Sequence, residues 1–153
     1  MRSLIALDYG RRRVGVAACS EAVPIAFGVA TLLIDSSDDL ISQLRGILAE
    51  RKVTDVVIGV PISLGDHPGI LLSEILDLKN RLESEGLVVH LVDEALSSCK
   101  ADELLRRRGG KKYKEDRDRA AAALILQEYL DGFLPPLSEE ELVKARRKAE
   151  GFK

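Results

Sequence analysis

Acidic side chains at three points of this chain are placed for chemistry. Asp8 ends a short apolar run, Glu94 with Asp93 beside it ends another, and Asp118 opens a long, Ala-rich apolar stretch. Ligand sites in α/β sheets favour the carboxyl ends of strands, so Asp8 and Glu94 converge if the first and fifth strands lie side by side and parallel. A helix packed across that edge would bring Asp118 to the same place. Carboxylates crowded together without basic partners repel one another and titrate upward, a conflict that a divalent cation resolves. Hard oxygen ligands select Mg²⁺ or Mn²⁺. Two such ions about 3.5–4 Å apart activate water and stabilise the leaving oxygen of a phosphodiester. Each acid also has a plainer explanation, as a solvated strand end or as a partner of a helix dipole. Asp116 could serve as the helix-start acid in place of Asp118, and spacing alone does not choose between Asp93 and Glu94.

Phosphate chemistry also calls for positive charge. Residues 106–119 read RRRGGKKYKEDRDR, eight basic side chains against three acids, inside a chain whose net charge is −2. Gly109 and Gly110 loosen the centre of this segment, which suits a loop that tracks a phosphate backbone through Lys111, Lys112 and Lys114. A second cluster, Arg11, Arg12 and Arg13, directly follows Asp8. A charged hairpin turn accounts for these arginines equally well, apart from their adjacency to the acid. Gly10 and Gly15 frame that turn, as a positive-φ device or as a phosphate loop. His67 stands alone among loop residues and reads as a surface side chain. Cys19 and Cys99 form neither a disulfide framework nor a metal-ligand spacing. No Ser-His-Asp order and no Walker loop is present.

The elements that must hold these residues follow from periodicity. The chain has 153 residues, 46% hydrophobic and 31% charged, which predicts one ordinary globular domain. No apolar run approaches the roughly 18 residues of a membrane span, and the reading is a cytoplasmic protein with reduced thiols. Strands are predicted from Leu4 to Asp8, Val14 to Cys19, Ala26 to Ile34 (bounded by Pro24), Val53 to Val60 and Leu87 to Val92. Helical spacing recurs through Leu40, Ile41, Leu44, Ile47 and Leu48, then over Ile70 to Leu82, Ser98 to Arg108 and Ala120 to Leu130. The order β-β-β-α-β-α-β-α-α predicts an α/β fold with a mixed five-stranded sheet flanked by helices. Residues 1–134 make the domain. Residues 135–153 make a charged tail, predicted as a peripheral helix entered through a Ser138/Glu141 capping box.

Taken together, the motifs resemble one family. Leu7-Asp8-Tyr9-Gly10 followed by Val14-Gly15-Val16-Ala17 resembles the opening of the YqgF, or RuvX, family. Ile58-Gly59-Val60-Pro61 is similar to its second block, usually Gly-Leu-Pro. Val92-Asp93-Glu94-Ala95-Leu96-Ser97-Ser98 is similar to its third, usually Asp-Glu-Arg-Leu-Ser-Thr. Residues 118–129 resemble its last block, an Asp opening an Ala-rich helix that ends in Tyr. The order fits from Leu4 to about Tyr129, and four weak motifs in sequence are specific together. The resemblance implies an RNase H-like fold and a Mg²⁺- or Mn²⁺-dependent nuclease, with Asp8, Glu94 and Asp118 as catalytic, metal-binding carboxylates. It further implies processing of the 5′ end of pre-16S rRNA. The alternatives are a Holliday junction resolvase on branched DNA, which needs a symmetric dimer, and a non-catalytic RNA-binding module of ribosome assembly. Three departures stand out: Ala95 replaces the usual Arg, Ser98 the usual Thr, and Arg11 stands where Thr or Ser is common. Losing the Arg removes a bidentate partner for phosphate, which bears on substrate affinity more than on metal binding.

Overall fold

Residues 3 to 33 form three consecutive antiparallel strands in a computed structural model, which describes residues 2–60, 69–93 and 113–149. The strands are β1 (Ser3–Tyr9), β2 (Arg13–Ser20) and β3 (Val23–Leu33). Helix α1 (Ser37–Glu50) then leads to β4 (Asp55–Val60), and α2 (Gly69–Ser84) to β5 (Val88–Asp93). Helix α3 (Tyr113–Leu130) and helix α4 (Glu139–Ala149) follow. The sheet order is β3-β2-β1-β4-β5, with β1–β2 and β2–β3 antiparallel and β1–β4 and β4–β5 parallel. This is the mixed five-stranded sheet the sequence order predicts.

Alternation along the strands divides the core in two. Ile5, Leu7, Val14, Val16, Val56, Ile58, Val89 and Leu91 pack with α1 and α2 on one face. Leu4, Ala6, Ala17, Cys19, Val57 and Val92 pack with Ala122, Ile125 and Leu126 of α3 on the other. Helix α1 begins where Ser36 accepts a hydrogen bond from the Asp39 amide at 3.1 Å, with Asp38 and Asp39 in its first turn. Helix α4 starts on the Ser138/Glu141 box, the Glu141 amide donating to Ser138 Oγ at 3.1 Å. Leu137 and Leu142 anchor this segment to the α1–α2 face, and the Leu137 amide donates to the Leu91 carbonyl at 2.7 Å.

Several expectations shift. Strand β4 lies between β1 and β5, so the first and fifth strands are parallel but not side by side. Strand β3 begins at Val23 and includes Pro24. An edge strand tolerates proline because its outward positions need no ladder donor. Here the Gln127 side-chain amide occupies that edge, accepting from the Ala26 amide at 2.9 Å and donating to the Pro24 carbonyl at 3.4 Å. Helix α3 begins at Tyr113, so Asp118 sits inside the helix instead of opening it, and Lys114 is helical instead of part of a loop. Lys, Glu and Arg are good helix formers, which extends the helix upstream of its apolar part. The predicted helix from Ser98 to Arg108 lies outside the described residues.

At the end of the sheet opposite Asp8, the start of β4 carries a polar cluster. Asp55, 5% exposed, accepts from Arg2 Nη2 at 2.9 Å and from Thr54 Oγ1 at 2.7 Å, and pairs with His90 Nε2 at 2.9 Å. Burial by itself would raise the Asp55 pKa, but the bonds from Arg2, His90 and Thr54 together outweigh it and hold the carboxyl well below the usual aspartate range. Among the described residues no helix is long and apolar enough to cross a membrane.

Candidate functional site

The position of Asp8 follows from period two. Leu4 and Ala6 pack toward α3, so Asp8, the next residue in the alternation, lies on the same face at the carboxyl end of β1. Its cross-strand partner is Gly15. A methyl group at Gly15 would run into the Asp118 carbonyl oxygen, and one at Gly28 would stand 3.0 Å from Arg119 Cβ. The main chain of α3 therefore lies directly on the sheet beside Asp8, because glycine leaves room for it. Gly15 is inside β2 and serves this close approach, not the turn. Gly10 serves the turn: a methyl there would come within 2.6 Å of the Arg13 carbonyl oxygen.

The three arginines after Gly10 separate. Arg13 shares the α3 face with Gly15, two residues on, and its Nε lies 3.3 Å from Asp118 Oδ2. Arg11 turns to the opposite helix layer, its Nε donating to Glu74 Oε1 at 3.2 Å. Tyr9 donates its hydroxyl to the other oxygen of Glu74 at 2.9 Å. Burial and that hydrogen bond push the Tyr9 phenol up to about 12. Glu74 of α2 thus ties the end of β1 to the middle of the β1–β2 turn. Arg12 is exposed and makes no ion pair among the described residues, while its carbonyl accepts from the Ile34 amide at 2.9 Å.

Asp8, Arg11, Arg12, Arg13, Asp35 and Asp118 line one cleft of about 780 Å³. Two of the three predicted carboxylates are brought together. The third, Glu94, lies outside the described residues, as do Lys111 and Lys112; Lys114 lies in the first turn of α3. Asp93 alternates with Val89 and Leu91, which face α1 and α2, so it stands on the face opposite Asp8. Among the described residues no group of three His, Cys, Asp or Glu is close enough to hold one ion. Asp8 and Asp118 are nonetheless a hard-oxygen donor pair at one cleft, and Asp118 already draws a cationic partner in Arg13, so the residues present fit a divalent cation. Sequence reasoning missed Asp35 and Glu74. Asp35 follows the end of β3 at the same edge as Asp8, and the strand-end rule would have found it. Glu74 lies on a mostly apolar helix face and offers no such signal.

The comparisons agree with this architecture. Residues 2–132 match the model of a family described as RuvX, Holliday junction resolvase. A protein of Thermosynechococcus vestitus named "Putative pre-16S rRNA nuclease" is 37% identical over 134 residues, covering 86% of this chain and 89% of its own length. One of the same name from Trichormus variabilis is 38% identical over 132 residues, covering 84% and 87%. Thermus thermophilus RuvC in complex with a Holliday junction substrate superposes with a TM-score of 0.54 at 12% identity, covering 90% of this chain and all of that one. A second Thermus thermophilus RuvC structure gives 0.55 at 12% identity. That likeness shows the fold alone, a RuvC-like RNase H fold. With its opening motif on β1 and β2, its closing motif on α3 and relatives matched over most of both lengths, the chain belongs to the RuvX family.

Proposed function

We propose that this chain is a divalent-metal-dependent nuclease that hydrolyses phosphodiesters of structured RNA, acting in the cytoplasm on the 5′ end of pre-16S rRNA. One observation carries the reading: Asp8 and Asp118, far apart in sequence, meet at one arginine-walled cleft because Gly15 admits α3 onto the sheet. The relatives' name supplies the RNA. Asp8, Asp118 and Glu94 would hold Mg²⁺ or Mn²⁺. When bound, the metal would supply a nucleophilic water and neutralise charge on the phosphate. Asp93 faces the other layer, which favours Glu94 as the acid from the end of β5.

The rest falls to the chain itself. The Tyr9–Glu74–Arg11 clamp fixes the β1–β2 turn, so the carboxylate of Asp8 is held by β1 on one side and a pinned turn on the other. Arg12, exposed at the cleft rim, is the cation most available to a phosphate oxygen. Lys111, Lys112 and Lys114 would engage the phosphate backbone of the RNA. A short structured RNA carrying the pre-16S 5′ leader, incubated with Mn²⁺, tests the reading: cleavage by the unaltered chain and none by Asp8→Asn is expected. Binding without cleavage by the unaltered chain would leave the non-catalytic RNA module instead. The family's description favours a second reading, a resolvase on branched DNA. Cleavage of a four-way DNA junction but not of the leader RNA, by a dimer, would select it.

A further inference from the structure

We infer that Arg13 is a built-in placeholder for the cation at Asp118: it holds that carboxylate in the metal-free chain and has to let go when a divalent ion binds. The inference rests on the metal-dependent reading above. Arg13 Nε meets Asp118 Oδ2 at 3.3 Å, and the Asp118 side chain is only 13% exposed. The carboxylate has little room to retreat, because it is largely buried and the α3 main chain that carries it is seated on Gly15. The guanidinium can retreat, because the Arg13 side chain is long and 34% exposed at the cleft wall. Both cations would use the same carboxylate, and a guanidinium held beside it would repel the incoming charge. Neither neighbour duplicates the role. Arg11 is pinned to Glu74, and Arg12 makes no ion pair among the described residues.

The observed metal affinity is then a difference between what the carboxylates gain from the ion and what breaking the Arg13 pair costs. This fixes a sign. Removing a merely structural arginine would loosen the cleft and weaken metal binding. Removing a placeholder strengthens metal binding while the metal-free fold melts at a lower temperature.

Calorimetric titration of the full chain with Mn²⁺ tests this, using the unaltered protein, Arg13→Gln, Arg13→Lys and Asp8→Asn. Arg13→Gln is expected to bind Mn²⁺ about two- to fivefold more tightly, the range set by one partly exposed ion pair. It should also melt lower in EDTA. Arg13→Lys, which keeps the charge, should bind close to the unaltered chain, and Asp8→Asn should lose binding. Equal or weaker binding by a folded Arg13→Gln, with Asp8→Asn still abolishing it, would overturn the placeholder and leave the metal reading standing. No Mn²⁺ binding by any form would overturn both. If Arg13→Gln fails to fold, the Arg13 Nε–H resonance of the unaltered chain, assigned by its disappearance in Arg13→Lys, gives the answer. A shift on adding Mg²⁺ supports release, and an unmoved resonance overturns it.

Discussion

Asp8 has no neighbour of its own kind on β1 that could take over from it. Asp8→Asn is expected to lower cleavage by about two orders of magnitude or more, since even groups that only support a metal ligand cost about 10–100-fold when removed. Circular dichroism should show the fold intact, because Asp8 lies at a strand end and its replacement is isosteric. The basic residues make a different prediction. Neutralising Arg12, Lys111, Lys112 and Lys114 together should weaken RNA binding and flatten its salt dependence. The slope of log K against log salt should fall by about 0.7–0.9 for each phosphate that is no longer neutralised. An unchanged slope would remove them from the interface. Residue type and strand-end position are enough to pick out Asp8 from the sequence. The separate fates of Arg11, Arg12 and Arg13 are not legible there, because they depend on which layer each side chain turns to. Glu74 is 63 residues from Arg11 and 65 from Tyr9, and only the folded crossover brings it to them.

Helix α3 is positioned by what the strands beneath it lack. Gly15→Ala would drive a methyl into the Asp118 carbonyl and lift α3 from β2. We expect destabilisation by about 1–3 kcal/mol in urea unfolding, the usual cost of overpacking, together with weakened Mn²⁺ binding. Gly46→Ala, in α1 with open space around it, should instead be neutral or slightly stabilising. The element order, with strands before crossovers, is legible from periodicity, since period two and period 3.6 are local properties. The placement of β4 between β1 and β5 is not. That arrangement is a non-local pairing, in which parallel β1–β4 and β4–β5 ladders form across whole helices. The start of α3 escapes the sequence too, because apolar periodicity marks the buried part of a helix and α3 runs five residues upstream of Asp118 as a charged segment.

At the scale of the molecule, the two ends of the sheet are built on opposite electrostatic plans. One end gathers acids and arginines in an open cleft, and the other buries a single acid under Arg2, His90 and Thr54. Because the folded chain holds Asp55 below its ordinary value of 3.8, the unfolded chain binds the proton more readily. The stabilisation is thus complete above about pH 4 and fades as the pH falls further. Asp55→Asn should cost about 3 kcal/mol near neutrality, toward the low end for a buried pair because Arg2 is half exposed, and should flatten the acid limb of stability against pH. Denaturant melts from pH 7 down to pH 3 would check both. The gauge between Asp8 and Asp118 is set differently, by one stretch of main chain resting on another. At Gly15 no side chain stands between them. Volume-conserving swaps in the α1–α2 layer, on the far side of the sheet, should therefore cost stability before they alter the gap across which the two carboxylates work, so the tolerance of the chemistry is inherited from a backbone contact while the packing of the other layer has more room to drift.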